Sequence, residues 1–329
     1  MVSIREVAKK AGVSPSTVSR VMNGTARVDE DKRERVLKAI EETGFRPNEL
    51  ARALFKKSSR IIGVIVPNIE NPFFNELARA IEEEAYRNGF RILLCNSNND
   101  SEKERSNIQM LNQMNADGII IMSNSDATGA CIKDSNVPVV VLDRKLSGDK
   151  GIANIGSDHY HGAVLAMEHL LSCGCQNIVC MRGPQDVSSG KLRYNGSLDT
   201  CRKYGVKEQV IDCDYSYESG LRAVLQLLER YPAVDGIIAS NDMTAIAAYK
   251  VLLGKGIRVP EDIQLIGFDN IRFSRLFTPE FTTVAQPITQ MGMLAAQIIV
   301  KHGSGEAFEK ENLLEVTLIE RQTTRRRDV

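Results

Sequence analysis

Residues 13–24 read VSPSTVSRVMNG: Pro15 and Gly24 punctuate a short stretch in which Val18, Val21 and Met22 recur at helical spacing. The pattern predicts a short helix with Pro15 in its first turn, where a missing N–H costs nothing. With Val18, Val21 and Met22 facing inward, Ser16, Thr17, Ser19 and Arg20 face outward. The flanks complete the unit. Upstream, Ser3 is placed to cap a helix carrying Ile4, Val7, Ala8 and Ala11, with Glu6 as capping-box partner and Gly12 as its stop. Downstream, residues 31–43 predict a third helix with Val36, Leu37 and Ile40 on one face, ending at Gly44. Three short helices and no strand over residues 1–46 describe a small all-α helix-turn-helix domain.

Charge suggests what that domain meets. The 329 residues carry no net charge, yet residues 1–60 hold 14 Lys and Arg against 8 Asp and Glu, and the remainder 28 against 34. A basic module on a mildly acidic body points to a polyanion for the module alone. Arg20 can take guanine edges or a phosphate, and Ser16 and Thr17 can donate to phosphates or bases. A protein-docking module is the alternative, and the local charge favours DNA. No apolar run approaches the roughly 20 residues of a membrane helix, and MVSIREVAKK does not read as a signal peptide, so a cytoplasmic protein away from membranes is expected. The seven cysteines are scattered, and Cys173 and Cys175 lack redox or zinc spacing; His159 and His161 match no zinc motif. Neither metal nor cofactor is expected.

Residues 47–60, PNELARALFKKSSR, read as a linker with a helical option: Pro47 interrupts, Asn48 can cap, and two isolated turns are marginal without a partner. From residue 61 to 329 the pattern changes to α/β. Short apolar runs (IIGVIVP, RILLCNS, DGIIIMS, PVVVLDR, NIVCMRG, DGIIASND, IQLIGFD, TTVAQP) alternate with amphipathic stretches such as 74–88 and 219–230. This predicts parallel sheet with crossover helices, as one barrel or two open sheets. The polar stretch GSDHYHG at 156–162 favours two lobes.

In open α/β sheets ligands bind beyond the carboxyl ends of the strands. Beyond the runs of this chain stand Asn71 with Phe73 and Phe74, then Asp143 and Arg144, Arg193 with Lys191, Tyr215, Asn241, Asp269 and Gln286. Carboxylate, guanidinium and amide groups grip adjacent hydroxyls, and aromatic faces pack on the C–H faces of a sugar ring. A small polyol or sugar is the expected ligand. No phosphate loop, nucleophile elbow or metal constellation accompanies these groups, so binding without turnover is expected and a sugar-modifying enzyme is the weaker alternative.

Two motifs in order, IREVAKKAGVSPSTVSRVMNG and FRPNELARAL, followed by a two-lobed core similar to periplasmic binding proteins, make the whole chain resemble the LacI/GalR family of transcriptional regulators. The likeness is strongest to ribose operon repressors. The resemblance implies a homodimer that binds operator DNA through Ser3, Ser14, Pro15, Ser16, Thr17, Arg20 and Asn23. It also implies that residues 47–60 are a hinge helix and linker, the helix running from Asn48 to Phe55 and presenting Asn48, Ala51 and Leu54, with Leu54 wedged into the minor groove. It implies D-ribose as inducer, held by Asn71, Asp143, Arg144, Arg193, Asn241, Asp269 and Gln286, with Phe73 and Phe74 stacking on the ring and Tyr215 standing where Phe is usual. Control by a partner protein, as in catabolite regulation, is the alternative within the family.

Overall fold

Capping chemistry and apolar spacing set the first three elements. The computed structural model describes residues 2–23, 28–45, 58–123, 126–144 and 151–325. In it α1 (Ile4–Ala11), α2 (Pro15–Asn23) and α3 (Glu30–Thr43) form the helical domain. The capping box closes: the Ser3 N–H donates to Glu6 Oε2 at 2.6 Å, and the Glu6 N–H to Ser3 Oγ at 3.3 Å. A cap of this kind contributes about 1 kcal/mol. Val7, Ala8, Ala11, Val18, Val36 and Ala39 are buried together, with Val21, Met22 and Ile40 packed on them. Leu37 departs from expectation and is 50% exposed. Position 37 lies about 100° around the helix from 36, whereas Ala39, nearly one turn on, shares the inward face.

The chain divides into two compact units, Met1–Ser59 and Arg60–Val329. The second begins with β1 (Ile61–Val66), α4 (Pro72–Arg87), β2 (Arg91–Asn96), α5 (Ser101–Gln113), β3 (Gly118–Ile121), α6 (Asp126–Lys133), β4 (Val139–Leu142) and β5 (Ala153–Ser157). It continues with α7 (His159–Ser172), β6 (Ile178–Arg182), α8 (Ser188–Tyr204), β7 (Val210–Asp212), α9 (Tyr217–Arg230), β8 (Gly236–Ile238), α10 (Asp242–Gly254) and β9 (Gln264–Asp269). A single 3₁₀ turn (Arg272–Arg275), β10 (Thr282–Ala285), α11 (Ile288–Ser304), β11 (Glu311–Leu314) and β12 (Thr317–Ile319) complete it.

Two open sheets result, not a barrel. Their orders are β11-β5-β4-β3-β1-β2 and β12-β10-β9-β8-β6-β7, parallel throughout except where β12 runs antiparallel to β10. Each lobe repeats the other strand for strand, so β4 and β9 occupy equivalent places. β1, β3 and β4 are almost wholly buried, as continuous apolar runs covered by helices on both faces should be. The chain crosses between lobes more than once: after β5, again between β10 and α11, and last between β11 and β12. β5, β7, β11 and β12 lie outside the apolar runs picked from the sequence; they are short, and β5 alternates buried with half-buried positions. No disulfide joins the seven cysteines. No helix among the described residues is long and apolar enough to cross a membrane.

α11 returns to the first lobe and lies against α4 at Gly292, where an added Cβ would stand 2.6 Å from Ala80 Cβ and 3.0 Å from the Leu77 carbonyl oxygen. Gly303, in the same helix, has nothing within 4 Å. Gly292→Val is therefore expected to lower stability by about 1–3 kcal/mol through overpacking, while Gly303→Ala raises it by about 0.4–1 kcal/mol. Urea unfolding of the two variants checks both signs.

Candidate functional site

The strand ends of both lobes meet in one small cleft. Asn71 caps α4, its Oδ1 accepting the Phe73 N–H at 3.1 Å, and Pro72 starts the helix. This cap sets Phe73 and Phe74 on the first turn, packed edge to face with centroids 5.2 Å apart. Asp143 and Arg144 follow β4. Arg144 Nη1 donates to Asn99 Oδ1 at 3.1 Å, and its guanidinium lies 5.7 Å from the Phe74 centroid.

The second lobe supplies the rest. Arg193, in the second turn of α8, stacks 3.6 Å over the Phe268 ring and donates from Nη1 to the Ser240 carbonyl at 2.6 Å and from Nη2 to Asp269 Oδ1 at 3.1 Å. Gln286 Nε2 donates to the same Asp269 oxygen at 2.7 Å. Asn241 caps α10 through Oδ1 and donates from Nδ2 to the Tyr215 carbonyl, so each end of its amide already serves the protein once. The Tyr215 hydroxyl lies 3.2 Å from Ser189 Oγ.

These groups line a narrow cleft bordered by all ten ligand-site residues expected from the sequence, together with Ser189. A wider space, to which Asn68, Asn99, Asp186 and Asp214 contribute, shares Asn71, Phe74, Arg144 and Tyr215 with it. Ser189 and Asn99 escaped the sequence reading because neither ends a strand: Ser189 opens a helix, and Asn99 sits in the β2–α5 loop. Lys191, named beside Arg193, does not line this cavity.

Two features mark the site as built for function. Asp143 and Asp269 hold φ of 67° and 111°, a region that costs of order 1–3 kcal/mol for a residue with a side chain and survives where the surroundings enforce it. Burial also pushes the Asp269 carboxyl up to about 6, against the pull of Arg193 and Gln286, and raises Asp143 against Arg144 and Arg193. Burial, reinforced by the Asp269 charge, holds Asp242 well above the carboxylate range; Asp242 accepts the Ile271 N–H at 2.9 Å and the Thr283 hydroxyl at 2.6 Å, clamping the turn after Asp269. Asp143 Oδ1 and Gln286 Oε1 are buried and find no hydrogen-bond partner among the described residues.

In the separate helical unit, Ser14, Pro15, Ser16 and Arg20 are exposed along α2 and Thr17 is half-buried. Ser14 Oγ lies 2.7 Å from Ser16 Oγ and 2.9 Å from Thr17 Oγ1. Ser3 is occupied by the capping box. The side chain of Asn23, and Asn48, Ala51 and Leu54 altogether, lie outside the described residues.

Comparison with known proteins agrees with both units. Residues 3–48 match the family described as bacterial regulatory proteins, lacI family, and residues 59–320 match periplasmic binding proteins and the sugar binding domain of the LacI family. A ribose operon repressor of Halalkalibacterium halodurans is 38% identical over 326 residues, covering 99% of this chain and 98% of its own. A crystal structure of the lac repressor dimer bound to operator and the anti-inducer ONPF superposes with TM-score 0.88 at 28% identity, covering 98% of each chain. A LacI family regulator from Enterococcus faecium with bound ribose gives TM-score 0.73 at 31% identity, over 82% of this chain and 100% of its own. The chain belongs to the LacI family of bacterial regulatory proteins, and is a DNA-binding transcriptional regulator with a sugar-binding type of core rather than an enzyme.

Proposed function

We propose that this chain is a cytoplasmic, homodimeric repressor whose headpiece, residues 1–46, holds operator DNA and whose core, residues 61–329, releases it on binding D-ribose. Residues 47–60 serve as the hinge between them, with Asn48, Ala51 and Leu54 at the DNA. One observation carries the ligand class: Asp143 Oδ1 and Gln286 Oε1, both acceptors, are buried without partners beside a cleft lined by Phe73 and Phe74. Buried acceptors call for donors, and ring hydroxyls are neutral donors that come with apolar faces for the two phenyl rings.

Charge supports a free sugar over its phosphate. Asp143 and Asp269 balance Arg144 and Arg193, and Arg193 is already committed to Asp269 and the Ser240 carbonyl. A phosphate would meet two carboxylates and no unopposed cation. The ribose-bound E. faecium regulator and the ribose operon repressor of H. halodurans support a pentose in particular. In this reading Asn71, Asp143, Arg144, Arg193, Asn241, Asp269 and Gln286 hold hydroxyls, Phe73 and Phe74 cover the ring, and Tyr215 closes one wall. Sugar held by both lobes favours the closed cleft, and a coupling of about 1–3 kcal/mol to operator affinity is ordinary for such linkage. At the DNA, Ser14, Pro15, Ser16, Thr17 and Arg20 of α2 face the groove, with Ser3 and Asn23 at the edges of the contact.

The direct test is operator binding followed by fluorescence anisotropy while D-ribose is added: release by ribose is expected, and tighter binding would make the sugar a corepressor instead. Arg144→Ala should raise the ribose concentration needed for half-release by roughly 10- to 150-fold, the loss of a charge-assisted hydrogen bond; an unchanged midpoint would remove Arg144 from the site.

The raised carboxyl of Asp269 gives a pH signature. Hydroxyl donors favour the ionised form, so ribose binding should lower this pKa and release a proton near pH 6. Affinity should therefore be flat above about pH 7 and weaken by up to about tenfold at pH 5. The chain has no tryptophan and Tyr215 lines the cavity, so tyrosine fluorescence titrations at the two pH values can follow it.

A further inference from the structure

His159 stands between the two carboxylates of the cleft. It is the first residue of α7, two residues beyond the end of β5, where the chain first crosses from one lobe to the other, and it is 2% exposed. Its ring is tilted against Phe268 with centroids 5.9 Å apart, the same ring on which Arg193 stacks. Arg193 Nε donates to His159 Nδ1 at 3.4 Å. A neutral imidazole that accepts at Nδ1 carries its proton on Nε2. Burial and the Arg193 charge keep the ring neutral, the Asp143 backbone opposing only in part. The Nε2 atom faces Asp143 Oδ1 at 3.8 Å, and these two buried atoms have no hydrogen-bond partner among the described residues.

We infer that His159 is a positioning residue for lobe closure, its Nε2–H being the built-in donor to Asp143 across a gap that shortens to a hydrogen bond when the lobes close on a sugar. The inference rests on the sugar reading above. Closed, the contacts run without interruption from Asp143 in the first lobe through His159 and Arg193 to Asp269 and Gln286 in the second. A carboxylate oxygen has two lone-pair directions, so Asp143 Oδ1 can take the imidazole proton and still accept from a ligand hydroxyl. Each lobe's carboxylate is then oriented by a group that also senses the other. At the 3.8 Å separation seen in the structure a buried acceptor and a buried donor are left unsatisfied, and closing that gap relieves the cost.

The test has two arms. With four histidines in the chain, long-range ¹H–¹⁵N spectra resolve the His159 ring nitrogens, assigned by comparison with His159→Gln. Ligand-free protein at about pH 7.5 should show the Nε2–H tautomer, and D-ribose should move that proton downfield; an Nδ1–H tautomer, a doubly protonated ring, or no shift at saturating ribose overturns the inference. In the second arm, ribose is titrated into wild type, His159→Leu and His159→Gln, the last keeping an N–H near the place of Nε2. Leu should weaken ribose binding by roughly 10- to 100-fold and Gln should restore most of it; equal affinities in all three, or equal losses in Leu and Gln, overturn the positioning role while leaving the sugar site intact. A wild-type protein that binds no ribose would defeat the sugar reading and this inference with it.

Discussion

A carboxylate withdrawn from water must be given donors or it will not stay charged, and the core of this protein is arranged around that condition for Asp143 and Asp269. Both end equivalent strands, both are held in left-handed backbone, and both are buried. Asp269 is met by Arg193 and Gln286 on one oxygen and steadied from behind by Asp242, which grips the next turn through the Ile271 N–H. Asp143 is met less fully, with Arg144 Nε at 4.0 Å and His159 at 3.8 Å. The two lobes therefore differ: the second holds a carboxylate that is nearly satisfied, and the first one that is met less fully.

The repeated crossing of the chain turns such local satisfaction into a mechanical event. α11 and β11 come from the far end of the sequence yet pack into the first lobe, Gly292 on α4 and β11 beside β5. The lobes are thus joined by more than one passage of the chain. One contact at the lobe boundary, the Arg272 N–H to Glu76 Oε1 at 2.7 Å, ties the 3₁₀ turn just beyond Asp269 to α4, the helix that carries Phe73 and Phe74. A ligand that draws Asp143 towards Asp269 acts on that helix as well.

Much of the site was legible in the sequence because the physics of a buried parallel strand leaves a plain mark. An apolar run such as VVVL stops where the strand ends, and the polar residue that stops it, Asp143, is the residue that lines the cleft. The same rule found Asp269, Asn241 and Gln286. It could not find Ser189 or Asn99, which reach the cleft from a helix start and a loop, or His159, buried behind Asp143 at a crossover, because their neighbours in sequence say nothing about where the chain turns. The edge strands β11 and β12 are illegible for a related reason: three or four residues with half-exposed faces carry too weak an alternation. Leu37 was placed inward by hydrophobicity alone, although its angle on α3 points it outward. In the headpiece, by contrast, Ser3, Glu6, Gly12 and Gly44 each have a local task, and local tasks can be read from neighbours.

The central claim is that the cleft is built for the hydroxyls of a pentose. Calorimetric titration with D-ribose and with 2-deoxyribose tests it most directly, because a site whose buried acceptors await hydroxyls should reject the analogue lacking one by a large factor, up to about 10⁴. Tight binding of ribose with little or none of 2-deoxyribose is the predicted result. Equal affinity for the two sugars, or heat from neither, would contradict it.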